Sequence, residues 1–137
     1  MDYTDQLGEC INIEDFIKIW NCIKYDWTEY SWMLASRCYK YIDIWWDEDK
    51  FYWETCSWIL PCYCPEYFNI WWDPEKFNWE DGSFALLISY FEIFPQWWNP
   101  EKFHWNKQNI DQLEGYCLRW KYLWVKDVVI YKIKLGI

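Results

Sequence analysis

The sequence predicts a mostly α fold: a short α-solenoid of about four stacked 26-residue helical repeats with an atypical C-terminal cap that reads as β. Three observations predict it. Trp20, Trp46, Trp72, Trp98 and Trp124 stand 26 residues apart. Their neighbours recur with them, as Trp45-Trp46-Asp47-Glu48-Asp49-Lys50-Phe51, Trp71-Trp72-Asp73-Pro74-Glu75-Lys76-Phe77 and Trp97-Trp98-Asn99-Pro100-Glu101-Lys102-Phe103. A fixed period of about 20–50 residues marks stacked units, each too small to bury its own apolar face. Finally, 4 Gly and 5 Pro in 137 residues are too few for turn-dense β architecture or for disorder. With 26% aromatic residues, including 15 Trp, the expected core is aromatic rather than aliphatic.

A single domain is expected over 1–137. Residues 1–18 read as an N-terminal cap, 19–44, 45–70, 71–96 and 97–122 as repeats, and 123–137 as a degenerate repeat and C-terminal cap. Within each unit the helix starts are chemical. Asp26-Trp27-Thr28-Glu29 has the form of a capping box, and Asn78-Trp79-Glu80-Asp81 is a weaker version. Asp73-Pro74-Glu75 and Asn99-Pro100-Glu101 combine a cap residue, a proline fitted to the first helical position and an acid for the positive dipole end. Trp79, Phe84, Leu86, Leu87, Tyr90 and Phe91 then follow helical rather than alternating spacing. Cys64-Pro65-Glu66 marks a helix end, and a short segment carries Phe68, Trp71 and Trp72 into the next unit. Each unit therefore reads as one helix of about ten to twelve residues plus one or two single turns. At the end, Val129, Tyr131, Ile133 and Leu135 alternate with Ile130, Lys132 and Lys134, a β-branched period-two pattern. That strand is expected to lie over the last repeat or to pair with a second chain.

Charge is segregated. Residues 45–96 hold ten acids against two lysines, whereas 97–137 hold seven bases against four acids, within a net charge of −9. An acidic body repels phosphate, so direct nucleic-acid binding is not expected. No apolar run approaches a membrane span, and the acidic N-terminus lacks a signal pattern, so no membrane association is expected. Seven cysteines without a secretory signal read as reduced thiols in the cytoplasm.

Candidate chemistry is sparse. Cys56, Cys62 and Cys64 lack paired Cys-x-x-Cys spacing, and Tyr90 and Tyr116 replace Cys38 and Cys64 in later copies, so core packing rather than metal is expected. His104, the single histidine, shares its place with Asp26, Tyr52 and Asn78, a variable helix-start position. Ser31, Ser57 and Ser83, with Asn109 in the fourth copy, read as small residues at close approaches that bond an i−4 carbonyl, since three equivalent nucleophiles make no single active site. The carboxylates Asp47, Glu48, Asp49, Asp73, Glu75, Glu80 and Asp81 form an acidic face. The adjacent tryptophan pairs offer another surface. If Trp45, Trp71 and Trp97 turn outward they form a flat ladder, and Lys24, Lys50, Lys76 and Lys102 form a row beside it.

The units Trp-Trp-Asp-Pro-Glu-Lys-Phe-Asn-Trp and Tyr-Cys-Pro-Glu-Tyr-Phe resemble tryptophan-rich short repeats in proteins of large bacteriophages and giant viruses, over about residues 19–122. The resemblance implies a viral source and carries no catalytic residue across. The first functional expectation is a non-catalytic module without cofactor or metal. It binds a basic protein surface through Asp47, Glu48, Asp49, Asp73, Glu75, Glu80 and Asp81, by complementing a docking site or imitating nucleic-acid charge. A small-ligand binder for a nucleotide or sugar, using Trp45, Trp71, Trp97, Lys50, Lys76 and Lys102, is the alternative. An enzyme working through the repeat-cap carboxylates comes third.

Overall fold

The computed structural model describes residues 3–116 and 118–137. The described chain is mostly helical. Two short helices, α1 (Tyr3–Gly8) and α2 (Ile13–Ile19), precede α3 (Trp27–Arg37) and α4 (Ile42–Trp45). Next come α5 (Trp53–Cys56), α6 (Ile59–Tyr63) and α7 (Phe68–Trp71), then α8 (Trp79–Tyr90) and α9 (Phe94–Trp97). The chain closes with α10 (Lys107–Tyr116) and α11 (Lys121–Leu135). Single 3-10 turns at Tyr39–Tyr41, Pro65–Tyr67, Phe91–Ile93 and Leu118–Trp120 link α3 to α4, α6 to α7, α8 to α9 and α10 to α11. The helices α1, α3, α6, α8 and α10 pack each on the next.

The helix starts follow the expected chemistry. Asp26 accepts from Glu29 N and caps α3, and Asn78 accepts from Asp81 N and caps α8. The Asp-Pro-Glu segment differs from expectation, because it builds a turn and not a helix. Asp73 Oδ1 accepts from Glu75 N at 2.9 Å, Asp47 Oδ1 from Asp49 N at 3.0 Å and Asn99 Oδ1 from Glu101 N at 3.0 Å. A side chain bonding its own backbone two residues on closes an Asx turn. The chain then returns at Phe51, Phe77 and Phe103, which are all buried.

Tryptophan supplies both area and clips. Trp45, Trp71 and Trp97 are buried, and their Nε1–H groups donate to the carbonyls of Cys38, Cys64 and Tyr90, seven residues back, at 2.7, 2.9 and 2.9 Å. Trp27, Trp53, Trp79 and Trp105 donate five residues back, to Cys22, Glu48, Pro74 and Pro100. Burying an indole leaves its N–H in need of a partner, and a local carbonyl meets that need. Trp46 lies edge-on to Trp53 at 5.5 Å, Trp72 to Trp79 at 5.6 Å and Trp98 to Trp105 at 5.8 Å. The same set of rings thus recurs 26 residues on.

The serines do what their spacing predicts and one thing more. The hydroxyls of Ser31, Ser57 and Ser83 donate to the i−4 carbonyls of Trp27, Trp53 and Trp79. Each also accepts a backbone N–H from 21 residues on: Tyr52 at 3.0 Å, Asn78 at 2.9 Å and His104 at 3.0 Å.

Helix continuity varies between copies for local reasons. Gly82 lies under the Phe77 ring, where a Cβ would stand 2.3 Å from Cζ, and α8 runs unbroken. Tyr30 occupies the equivalent place in α3, and its backbone leaves helical values at φ −127° and ψ 18°. Pro61 has no N–H to offer Ser57 O, and Leu60 N bonds that carbonyl instead at 3.1 Å, so α5 and α6 stay separate.

The expected C-terminal strand is overturned. No strand occurs among the described residues, and α11 takes the place of the β cap, so pairing with a second chain through that strand falls with it. The alternation at 129–135 is outweighed by contacts at helical spacing: Trp124 and Val128 are buried, and Tyr131 stacks on Trp105 at 4.3 Å and 5°. Gly136, at φ 71°, closes the helix in the left-handed conformation.

Two substitutions test this packing by urea denaturation. Trp71→Ala removes a fully buried indole and is expected to cost about 3–5 kcal/mol. Ser57→Ala strands the Asn78 N–H and the expected loss is about 1–3 kcal/mol. Losses below about 0.5 kcal/mol in both variants would place the stability elsewhere.

Candidate functional site

The acidic face is built on the Asx turns. Asp47 and Asp73 are half-buried because their carboxylates hold the turns, whereas Glu48, Asp49, Glu75, Glu80 and Asp81 are exposed. Successive turns are tied by ion pairs of equal offset. Lys76 Nζ meets Asp49 Oδ1 at 2.7 Å, and Lys102 Nζ meets Glu75 Oε2 at 3.2 Å. The hydrogen bond from Lys76, with its charge, holds the Asp49 carboxyl below its ordinary value, and Asp49 raises the Lys76 ammonium in return. Lys76 also donates to Glu48 O at 3.3 Å.

These contacts correct the aromatic-ladder expectation. Trp45, Trp71 and Trp97 are the inner member of each pair, 1%, 1% and 3% exposed, so they form no outward surface. Their indole N–H bonds to the carbonyls seven residues back fix them inward. Three of the four lysines in the row are also engaged. Lys76 and Lys102 neutralise carboxylates, Lys24 lies over the Tyr3 ring at 4.7 Å, and Lys50 is exposed on its turn.

The remaining polar residues have structural partners. His104 gives its N–H to Ser83 and its carbonyl to Asn109 Nδ2 at 2.8 Å. Cys38 Sγ approaches Leu7 O at 3.5 Å, and Cys64 Sγ approaches Ala35 O at 3.3 Å. Burial pushes both thiols from 9.0 up to about 12. Cys62 is exposed on α6, and Cys56 is buried beside Thr55.

One feature escaped the sequence reading. Between α3 and α6 an open cleft of about 550 Å³ is lined by Trp32, Ser36, Arg37, Trp58, Ile59 and Tyr63. Its signal was available: Trp32 and Trp58 are 26 residues apart, and Trp32 and Ser36 share a helix face at i and i+4. A second hollow lies around Phe68, Glu92 and Gln96. None of the seven acidic-face carboxylates lines either one. Among the described residues no helix is long and apolar enough to cross a membrane.

Searches of the chain against protein-family models, curated proteins and solved structures find no match.

The buried thiols give a chemical test. At pH 8 a disulfide reagent is expected to leave Cys38 and Cys64 unlabelled in native protein and to label both in denaturant, read by peptide mass mapping. Because the folded thiols titrate above the unfolded ones, their contribution to stability is complete below pH 9. It is lost as pH rises from 9 toward 12. A melting midpoint that stays flat across that window, with rapid native labelling of both thiols, contradicts this placement.

Proposed function

We propose that the chain is a short α-solenoid of four stacked 26-residue units that acts as a non-catalytic protein-binding module. The bonds that recur between neighbouring copies support the stacking, as does the succession of α3, α6, α8 and α10 in contact. The partner is a protein with a basic surface, such as nucleic-acid-binding proteins present, and it meets the acidic turns. On the resemblance to large-phage and giant-virus repeats, that partner is a host protein in the cytoplasm.

One observation carries the reading: exposed acids sit on turns, and on a capped helix start, that the fold holds in place. Asp47 and Asp73 close the turns, and the Asp49–Lys76 and Glu75–Lys102 pairs join one turn to the next. Glu48, Glu80 and Asp81 remain exposed on this frame, with a net charge of −9 behind them. Preordered charge of one sign steers and orients a complementary surface. A catalytic carboxylate needs a cleft and a second group converging on it, and the seven acids lie on turns and a helix start instead.

Capture from the native host lysate with wild-type protein and with a Glu48→Gln, Glu80→Gln, Asp81→Asn variant tests the reading. A specific partner is expected to be retained at 50 mM salt, released by 300 mM and lost with the variant. A partner held equally by both proteins, and indifferent to salt, would move the binding surface elsewhere.

A further inference from the structure

Fifteen tryptophans occur in the chain, and Trp32 and Trp58 are the two that are exposed, at 38% and 42%. They hold equivalent places in consecutive copies and line the same cleft. Exposure is no requirement of that place. Phe84 is half-buried there and Ile110 fully buried in the next two copies. Neither Trp32 nor Trp58 packs against another ring among the described residues, while the other indoles of these units sit in clusters. Trp58 therefore offers an indole that no other ring covers, and Trp32 one that is shared only with a cation.

The cleft also holds a cation. Of the two arginines, Arg119 pairs with Glu92 at 2.7 Å, whereas Arg37 has no carboxylate partner among the described residues. In a chain with 22 acids, a guanidinium left unpaired is an available anion site. Arg37 leaves the last turn of α3 and passes Gly8 of α1, where a Cβ would lie 3.4 Å from its Cδ. Its guanidinium then stands over the Trp32 ring at 5.7 Å. On the other wall, Trp58 sits at the interruption between α5 and α6 that Pro61 enforces. Ser36 and Tyr63 add two hydroxyls.

We propose that this cleft binds a free mononucleotide, a flat heteroaromatic ring joined to a phosphate. The ring stacks on the exposed indole of Trp58, the phosphate meets the Arg37 guanidinium, and the hydroxyls of Ser36 and Tyr63 serve the sugar. The volume suits a small molecule, and stacking on an aromatic side chain tolerates any base. Arg37 at the cleft disfavours a cationic ligand. The net charge of −9 disfavours a long polyanion, which separates a free nucleotide from a nucleic-acid strand. This site is independent of the acidic turns and stands whether or not they bind a protein.

Isothermal titration with adenosine 5′-monophosphate, adenosine, inorganic phosphate, a ten-nucleotide single strand and maltose tests it. The monophosphate is expected to bind at least tenfold more tightly than adenosine, with phosphate and maltose silent and the strand no tighter than the monophosphate. Arg37→Gln is expected to bring the monophosphate down to the level of adenosine, and Trp58→Ala to weaken both at least tenfold. Trp58→Phe, which keeps a ring, recovers most of that loss, and an unchanged far-ultraviolet circular dichroism spectrum confirms folding in each variant. No binding of the monophosphate at millimolar concentration overturns the proposal. Binding that ignores both Arg37→Gln and Trp58→Ala overturns it equally, as does preference for maltose or for the strand.

Discussion

The hydroxyl of a buried serine sets the spacing on which everything else in this chain depends. Ser31, Ser57 and Ser83 are fully buried, and each Oγ donates its single proton within its own helix. A lone pair is left, and it receives a backbone N–H from the returning turn of the following copy. The serine hydroxyls are fully buried, so losing either bond leaves a polar group short of a partner. The junction thus fixes how far each helix stands from the next, and the aromatic rings pack at the distance it sets. The fourth copy shows what happens when the next turn is missing. Asn109 turns its amide back to His104 O, and its Oδ1 is buried without a partner, because residue 130 lies inside α11. There the contact passes to stacking of Tyr131 on Trp105.

Most of the groups that carry chemistry in other proteins serve this frame. Indole N–H groups clip the chain to carbonyls five and seven residues back, which satisfies most indole donors of so aromatic a core, with Trp98 Nε1 buried and unpaired. Carboxylates close turns or tie one turn to the next. Cys38 and Cys64 pack against carbonyls with thiols too buried to ionise near neutral pH. What the frame does not use stands out against it: exposed acids such as Glu48, and Trp32, Trp58 and Arg37 around a cleft.

Among the candidate sites, the turn carboxylates were legible in the sequence because a period repeats an acid in the same turn and Asx chemistry is local. The cleft was not singled out, because it depends on which helix face remains unpacked. Trp32 and Trp58 share a period with Phe84 and Ile110, and spacing alone treats the four alike. The orientation of each tryptophan pair was hidden for a similar reason. Adjacent residues differ by about 100° on a helix, and the inward one is chosen by the carbonyl its N–H can reach.

The sequence by itself determined the helical class, the recurrence every 26 residues, the caps at Asp26 and Asn78 and the serine bond to the i−4 carbonyl. Each of these follows from side chains and backbone within about one turn of one another. Tertiary structure alone decided the rest. The alternation at 129–135 suits a strand, but Trp124, Val128 and Tyr131 meet the preceding units only when that stretch is helical. The second bond of each serine and the opening of the cleft between α3 and α6 rest on residues far apart in the chain. Local propensity has no information about such partners, and packing supplies it.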